Sequence, residues 1–193
     1  MAPSSKTIYL KVPILGNPNV GKTTLFHFFR AQTDKHFSYK TNDFVLIENV
    51  EFNNYTFNIQ IWDNYGANTF KRINKEIFQK SSLAIVMYDV SDRTKKSYED
   101  VRKWIDLLWE NNGEKKIPII LLGNKIDLRD RKIPTLKLQD CSEVTSELSQ
   151  ECQIIIPQFE ISALTGQNCA KILYTLLDEV INFWSDKFRP QLV

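Results

Sequence analysis

Gly16-Asn17-Pro18-Asn19-Val20-Gly21-Lys22-Thr23 is the stretch that decides how this sequence is read. A glycine, four open positions and then Gly-Lys-Thr form the phosphate-binding loop pattern, which carries meaning only between a strand and a helix. Both flanks fit. Ile8 to Leu15 is a β-branched, apolar run ending at Gly16, and Leu25, Phe28 and Phe29 fall at i, i+3 and i+4 directly afterwards. The bland alternative is a glycine-bearing turn with a surface lysine, and the strand–loop–helix context argues against it. Glycines at both ends let such a loop wrap an anion, so that the backbone N–H groups of Asn19, Val20 and Gly21 point inward. The helix N-terminus adds positive potential there. Lys22 is placed to reach β- and γ-phosphates, the Thr23 hydroxyl to ligate Mg²⁺, and Thr24 to bond the α-phosphate.

Which base accompanies the phosphates is a separate question. Asn124-Lys125-Ile126-Asp127 follows the apolar run Ile117 to Leu122. The Asp127 carboxylate can accept both N1–H and the exocyclic N2–H₂ of guanine, a pair that adenine does not offer. Buried groups left unpaired by the wrong base make such a site selective. Asn124 is expected to tie this loop back to the phosphate loop, and the Lys125 stem to cover the base plane. In Ser162-Ala163-Leu164, after a last strand near Phe159 to Ile161, a backbone N–H is expected to meet guanine O6. Surface loops also read Asn-Lys-x-Asp, so the motif gains its force from its position after a buried strand and downstream of the phosphate loop.

Three further positions complete a switch. Asp63 ends the run Gln60-Ile61-Trp62 and is placed to hold Mg²⁺ through water, and the N–H of Gly66, three residues on, is placed at the γ-phosphate. Thr41, in the polar segment after the first helix, can add a hydroxyl to Mg²⁺, or it is a plain loop threonine. Lys22, Thr41 and Gly66 are the residues expected at the reacting phosphate. A segment fastened only when that phosphate is present is an order–disorder switch.

The remaining sequence sets bounds. Apolar runs alternate with stretches of helical period without repeats or linkers, so a single domain over residues 1–193 with a mostly parallel, helix-covered sheet is expected. Phe44 to Val50 and Tyr55 to Trp62 flank the turn pair Asn53-Asn54 as a hairpin. Tyr98, Val101, Ile105 and Leu108 mark one helical face; Leu173, Leu176, Val180 and Phe183 mark another, and a helix near Ser142 to Glu151 is weakly signalled. A net charge of +2 with short, scattered basic runs argues against a nucleic-acid surface. Three cysteines without a Cys-x-x-Cys pair suggest a reducing, intracellular compartment. No apolar run approaches the roughly 18 residues of a membrane span. The ends carry no signal peptide, myristoylation sequence or prenylatable cysteine, so no membrane anchor is expected within this chain. The expected location is cytoplasmic, with endomembranes reached only through partners or a tail outside this chain.

The motifs Gln60-Ile61-Trp62-Asp63, Tyr88-Asp89-Val90, Asn124-Lys125-Ile126-Asp127 and Ser162-Ala163-Leu164-Thr165-Gly166-Gln167-Asn168 together resemble a Ras-superfamily small GTPase of the Rab-like branch, over roughly residues 7 to 185. The resemblance implies a three-layer α/β fold with a six-stranded, mostly parallel sheet and about five helices. It also implies a GTP/GDP switch with Mg²⁺, serving vesicle trafficking or signalling, with exchange factors, GTPase-activating proteins and effectors as partners. Several positions depart from the family pattern. Ala67 stands where the family has the glutamine that orients the attacking water, so a slow GTPase is expected. Asn64-Tyr65 precedes Gly66 in place of the usual Thr-Ala, Pro18 replaces a usual glycine, and Asn42 follows Thr41 in place of Ile-Gly. Asp34 replaces an aromatic at the guanine edge, which Phe37 serves only if the loop is shifted, and Leu164 replaces a lysine. Two alternatives stay open. One is a nucleotide-held binding module without useful turnover. The other follows the likeness of Gly16 through Phe26 to the Era-like and ferrous-iron-transporter GTPases, which lack the glutamine and can use K⁺.

Overall fold

The computed structural model describes residues 6–32, 44–63, 75–113, 116–152 and 155–188. Thr41, Gly66, Ala67, Asp34 and Phe37, all singled out from the sequence, lie outside the described residues.

Six strands form one sheet: β1 (Lys6–Gly16), β2 (Phe44–Phe52), β3 (Tyr55–Asp63), β4 (Ala84–Asp89), β5 (Ile119–Asn124) and β6 (Gln158–Ile161), in the order β2-β3-β1-β4-β5-β6. Only β2 runs antiparallel to its neighbour, because Asn53 and Asn54 both take positive φ (46° and 66°) and close a tight hairpin onto β3. The described helices are α1 (Lys22–Gln32), α2 (Lys96–Glu99), α3 (Val101–Asn111), α4 (Asp127–Asp130), α5 (Glu143–Cys152) and α6 (Cys169–Phe188); α2 and α4 are single turns. The Tyr98-to-Leu108 stripe is therefore divided between α2 and α3, with Asp100 at the junction.

The central strands read as continuous apolar runs because both faces are covered, and alternate residues serve opposite layers. Ile85 and Met87 of β4 and Ile120 and Leu122 of β5 join Leu25 and Phe29 of α1 and Ile172, Leu176 and Val180 of α6. Val86 and Tyr88, with Ile119 and Leu121, join Trp104, Ile105 and Leu108 of α3 and Leu148 of α5. The start of β5 differs from the sequence expectation by two residues, and proline explains it. β5 begins at Ile119 rather than Ile117, since Pro118 has no N–H to give a ladder, although its carbonyl accepts Ala84 N–H at 3.0 Å. Likewise the β1–β4 register starts at Ile14, directly after Pro13.

This topology positions the site. β1 pairs with β3 on one side and β4 on the other, so the strand order reverses there. In open α/β sheets, ligands bind beyond the carboxyl ends of the strands at such a reversal. Gly16, Asp63, Asp89, Asn124 and Ile161 are all strand-final residues at that edge.

Candidate nucleotide site

The loop from Gly16 to Gly21 takes its shape from two crowded glycines. Gly16 has φ +138°, and a Cβ there would lie 2.2 Å from the Met87 carbonyl oxygen on β4. Gly21 has φ +101°, and a Cβ there would lie 2.2 Å from Asn124 Nδ2. Neither position admits a side chain without moving backbone or a buried amide. Between them Asn19 takes a left-handed φ of 64°, and Val20 is buried at 1% exposure. Leu25 N–H reaches the Gly21 carbonyl at 3.0 Å, which starts α1 at the loop. The first turn of α1 carries no acidic residue, so no side chain of its own neutralises the positive helix end.

Lys22 is 8% exposed, and its ammonium donates to the Gly16 carbonyl at 2.9 Å and the Asn17 carbonyl at 2.8 Å. Two of its three protons are thus held by the loop itself, which fixes the charge at the loop's hollow. Burial lowers its pKa from the ordinary lysine value, and the nearby Asp63 carboxylate opposes that shift. One residue further, the Thr23 hydroxyl donates to Asp63 Oδ2 at 2.6 Å, with Asp63 itself 7% exposed. A hydroxyl and a carboxylate in contact are hard oxygen donors of the kind Mg²⁺ takes. No group of three or more His, Cys, Asp and Glu able to hold a metal occurs among the described residues. Mg²⁺ commonly binds through one or two protein oxygens plus waters and ligand phosphates rather than through an all-protein cage, so this donor set fits it.

The other end of the site is built on β5 and β6. Asn124, 3% exposed, donates from Nδ2 to the Val20 carbonyl at 2.8 Å, and its Oδ1 accepts Ala163 N–H at 2.9 Å. One amide therefore joins the phosphate loop, the end of β5 and the loop after β6. Asp127 opens α4 at 9% exposure, and its Oδ1 accepts the hydroxyl of Ser162, which is fully buried, at 2.6 Å. Ile126 N–H bonds the Ile161 carbonyl at 3.2 Å, closing the two loops together. Lys125 sits at φ +76° with its ammonium on Asp89 Oδ2 at 2.5 Å, while Asp89 Oδ1 takes the N–H and hydroxyl of Ser91.

A cleft of about 450 Å³ runs between these ends. Of the residues singled out from the sequence, Asn19, Gly21, Lys22, Thr23, Thr24, Asn124, Lys125, Asp127 and Leu164 line it. Val20, Ser162 and Ala163 do not; they act from behind, through the Val20 carbonyl, the Ser162 hydroxyl and the Ala163 N–H. With the Ala163 N–H engaged by Asn124, Leu164 is the member of that trio that meets the cleft, at 69% exposure. Leu128 and Arg131 also line the wall and were not singled out. No motif marks them, and only their place shortly after Asp127, on α4 and at its C-terminal end, could have drawn attention to them.

The arrangement can cradle an anion at a helix start, supply a divalent-cation contact beside it, and offer a buried carboxylate to a donor-bearing ring at the far end. A model of the Ras family matches residues 11–182. The chain belongs to the Ras family. Among its relatives, Ras-related protein RabO of Dictyostelium discoideum is 30% identical, over 88% of this chain and 78% of that protein. Ras-related protein Rab-27B of Bos taurus is 31% identical, over 89% of this chain and 79% of its own length. EF-hand calcium-binding domain-containing protein 4B of Homo sapiens is 31% identical across 91% of this chain, which spans 23% of that longer protein. These similarities support a Rab-like small GTPase switch, and the six-stranded sheet agrees with the fold such a chain is expected to have.

Proposed function

We propose that this Ras-family chain binds GDP and GTP with Mg²⁺ in the cleft between Lys22 and Asp127 and hydrolyses GTP slowly. The observation that carries the reading is the Asp127 carboxylate. Ser162 holds one of its oxygens, and it lies in the same cleft as an ammonium fixed on a phosphate-type loop. Its acceptors match the N1–H and N2–H₂ edge of guanine and clash with the adenine edge. At the phosphate end, Lys22 and the N–H groups of the loop hold the β- and γ-phosphates, Thr24 bonds the α-phosphate, and Thr23 with Asp63 holds the metal. Bound Mg²⁺ would supply charge neutralisation at the β- and γ-oxygens.

Hydrolysis breaks the bond from the γ-phosphorus to its bridging oxygen as water attacks in line, its protons passing to phosphate oxygens or solvent. Lys22, Thr41 and Gly66 are the proposed contacts to the reacting phosphate. Ala67 offers the water no acceptor, which is the reason for slow turnover. Exchange factors, GTPase-activating proteins and effectors are the partner classes proposed from the Rab-like relatives, with vesicle traffic or signalling as the setting. No helix among the described residues is long and apolar enough to cross a membrane, so contact with endomembranes is proposed to be peripheral.

Calorimetric titration of Mg²⁺-GDP and Mg²⁺-ADP into nucleotide-stripped protein tests the binding half. The expected result is a preference for GDP of at least about 30-fold, since two mismatched buried groups at about 1–3 kcal/mol each amount to about 2–6 kcal/mol. Comparable affinities would sink the assignment. Asn19 supports a second reading of the turnover half. Its carboxamide belongs to a residue lining the phosphate end, so a cation-assisted mechanism has a polar side chain to use.

A further inference from the structure

Asn17 follows the first glycine of the phosphate loop, yet it does not line the cleft. Both ends of its side chain are engaged elsewhere. Nδ2 donates to Asp100 Oδ2 at 2.9 Å, and Oδ1 accepts the indole N–H of Trp104 at 2.8 Å, contacts spanning 83 and 87 residues of sequence. Both partners are buried, Asp100 at 3% exposure and Trp104 at 1%. Asp100 is itself fastened, since its Oδ1 receives the ammonium groups of Lys96 and Lys103, each at 2.6 Å. It also sits at the α2–α3 junction, with its N–H on the Lys96 carbonyl at 3.0 Å and its carbonyl receiving Trp104 N–H at 3.2 Å.

The consequence lies one bond away. The backbone carbonyl of Asn17 is one of the two acceptors that hold the Lys22 ammonium. Gly16, which supplies the other, is already fixed by its close approach to β4. The plane of the Asn17–Pro18 peptide is then the free variable in aiming Lys22. The following proline narrows it to extended conformations but does not choose among them. Pro18 also removes one N–H donor from the loop, so more of the anion's stabilisation falls on Lys22.

We propose that Asp100 and Trp104 are positioning residues for the phosphate end of the cleft, acting through the Asn17 side chain on the carbonyl that aims Lys22. This rests on the nucleotide-binding reading above. The network makes the α2–α3 junction part of the site: a force on α3 is transmitted to Lys22, and a bound β-phosphate is felt at Trp104.

Comparison of GDP with GMP provides the test. GMP reaches the base end and Thr24, but it has no β-phosphate for Lys22. Affinities of both, with Mg²⁺, are measured for the unaltered protein and for Asn17→Ala and Trp104→Phe, the second removing the indole N–H together with part of a buried ring. Asn17→Ala removes both hydrogen bonds of the chain and Trp104→Phe one, which predicts a GDP:GMP affinity ratio lower by about three- to tenfold in each variant, the larger loss in Asn17→Ala. GMP affinity itself should stay within about twofold. A role confined to holding the fold would weaken both ligands alike and leave the ratio unchanged, and that result overturns the proposal. Asn17→Gln, which keeps the amide, is expected to recover part of the ratio, whereas a ratio no better than that of Asn17→Ala would count against the side-chain route. Failure of the unaltered protein to bind either ligand would instead overturn the nucleotide-binding reading on which the network depends.

Discussion

Replacing Asn124 with alanine removes a side chain that joins both halves of the cleft. Its Nδ2 donates to the Val20 carbonyl at 2.8 Å and its Oδ1 accepts the Ala163 N–H at 2.9 Å. Truncation leaves a carbonyl and an N–H without their partner at residues 1% and 4% exposed. Each orphaned buried group costs about 1–3 kcal/mol. Water entering from the adjoining cleft offsets part of that, so a net loss of about 2–4 kcal/mol is expected. For a chain of this size each kcal/mol moves Tm by about 2–4 °C, which places the drop on the order of 10 °C. Binding suffers as well, because the phosphate loop and the Ser162–Ala163 loop lose their common tie. GDP affinity should fall by about 10–100-fold, or about 1.4–2.7 kcal/mol. Thermal melts without nucleotide and with increasing GDP separate the two terms, since bound ligand adds stability as RT ln(1 + [L]/Kd). Asn111→Ala is the control. Among the described residues the Asn111 amide reaches the Leu107 carbonyl in its own helix, at 2.8 Å, and its loss should stay within about 0.5 kcal/mol. A drop no larger than that of Asn111→Ala, with an unchanged GDP response, would show that Asn124 does not tie the two loops together.

Asp127→Asn places an amide donor against guanine N2, and it should weaken GDP and GTP by about 1–3 kcal/mol while favouring xanthine nucleotides in competition binding. Thr23→Asn should depress GTP binding more than GDP binding, and Lys22→Ala should reduce both; equal tight binding of the two nucleotides by Thr23→Asn would move the metal elsewhere. Acid should uncouple the Asn17–Asp100 contact only at very low pH. Burial by itself would raise the Asp100 carboxyl, but hydrogen bonds from Lys103, Lys96 and Asn17 outweigh it and hold it down to about 2. Its folded pKa is thus below the unfolded one. The stability it contributes, on the order of 1–2 kcal/mol, is present above about pH 4 and lost as pH falls towards 2. Acid titrations of Asp100→Asn against the unaltered protein should therefore converge at the low end of that window, and divergence there would contradict the assignment. Single-turnover phosphate release should be slower than the on the order of 10⁻⁴ s⁻¹ of glutamine-bearing relatives. Acceleration by K⁺ over Na⁺ would favour the cation-assisted reading.

The sequence displayed most of the fold, because its strands are apolar runs buried on both faces and its turns carry local chemistry such as Asn53-Asn54. The phosphate loop was equally legible, since two glycines and a lysine within a few residues are a local signature. So was the tie between Asn124 and that loop. The supporting contacts were not. Asn17 looks like an open position of the motif, and its bonds to Asp100 and Trp104 exist only once α3 packs on β4. Arg129 is similar: it clamps Glu160 with two hydrogen bonds and also bonds Thr135 and the Leu136 carbonyl, behind the Asp127 loop. Nothing in its spacing distinguishes it from a solvated arginine. The division of the Tyr98-to-Leu108 stripe at Asp100 was not legible either, as the apolar period continues across the junction.

The central claim is that this cleft selects guanine nucleotide, and the nucleotide that accompanies the purified protein tests it most directly. Protein isolated in Mg²⁺-containing buffer is denatured, and the released nucleotide is identified and quantified by chromatography. GDP or GTP approaching one equivalent per chain is expected, with loss of that nucleotide in Asp127→Ala. Adenine nucleotide in its place, or guanine nucleotide retained undiminished by Asp127→Ala, would contradict the claim.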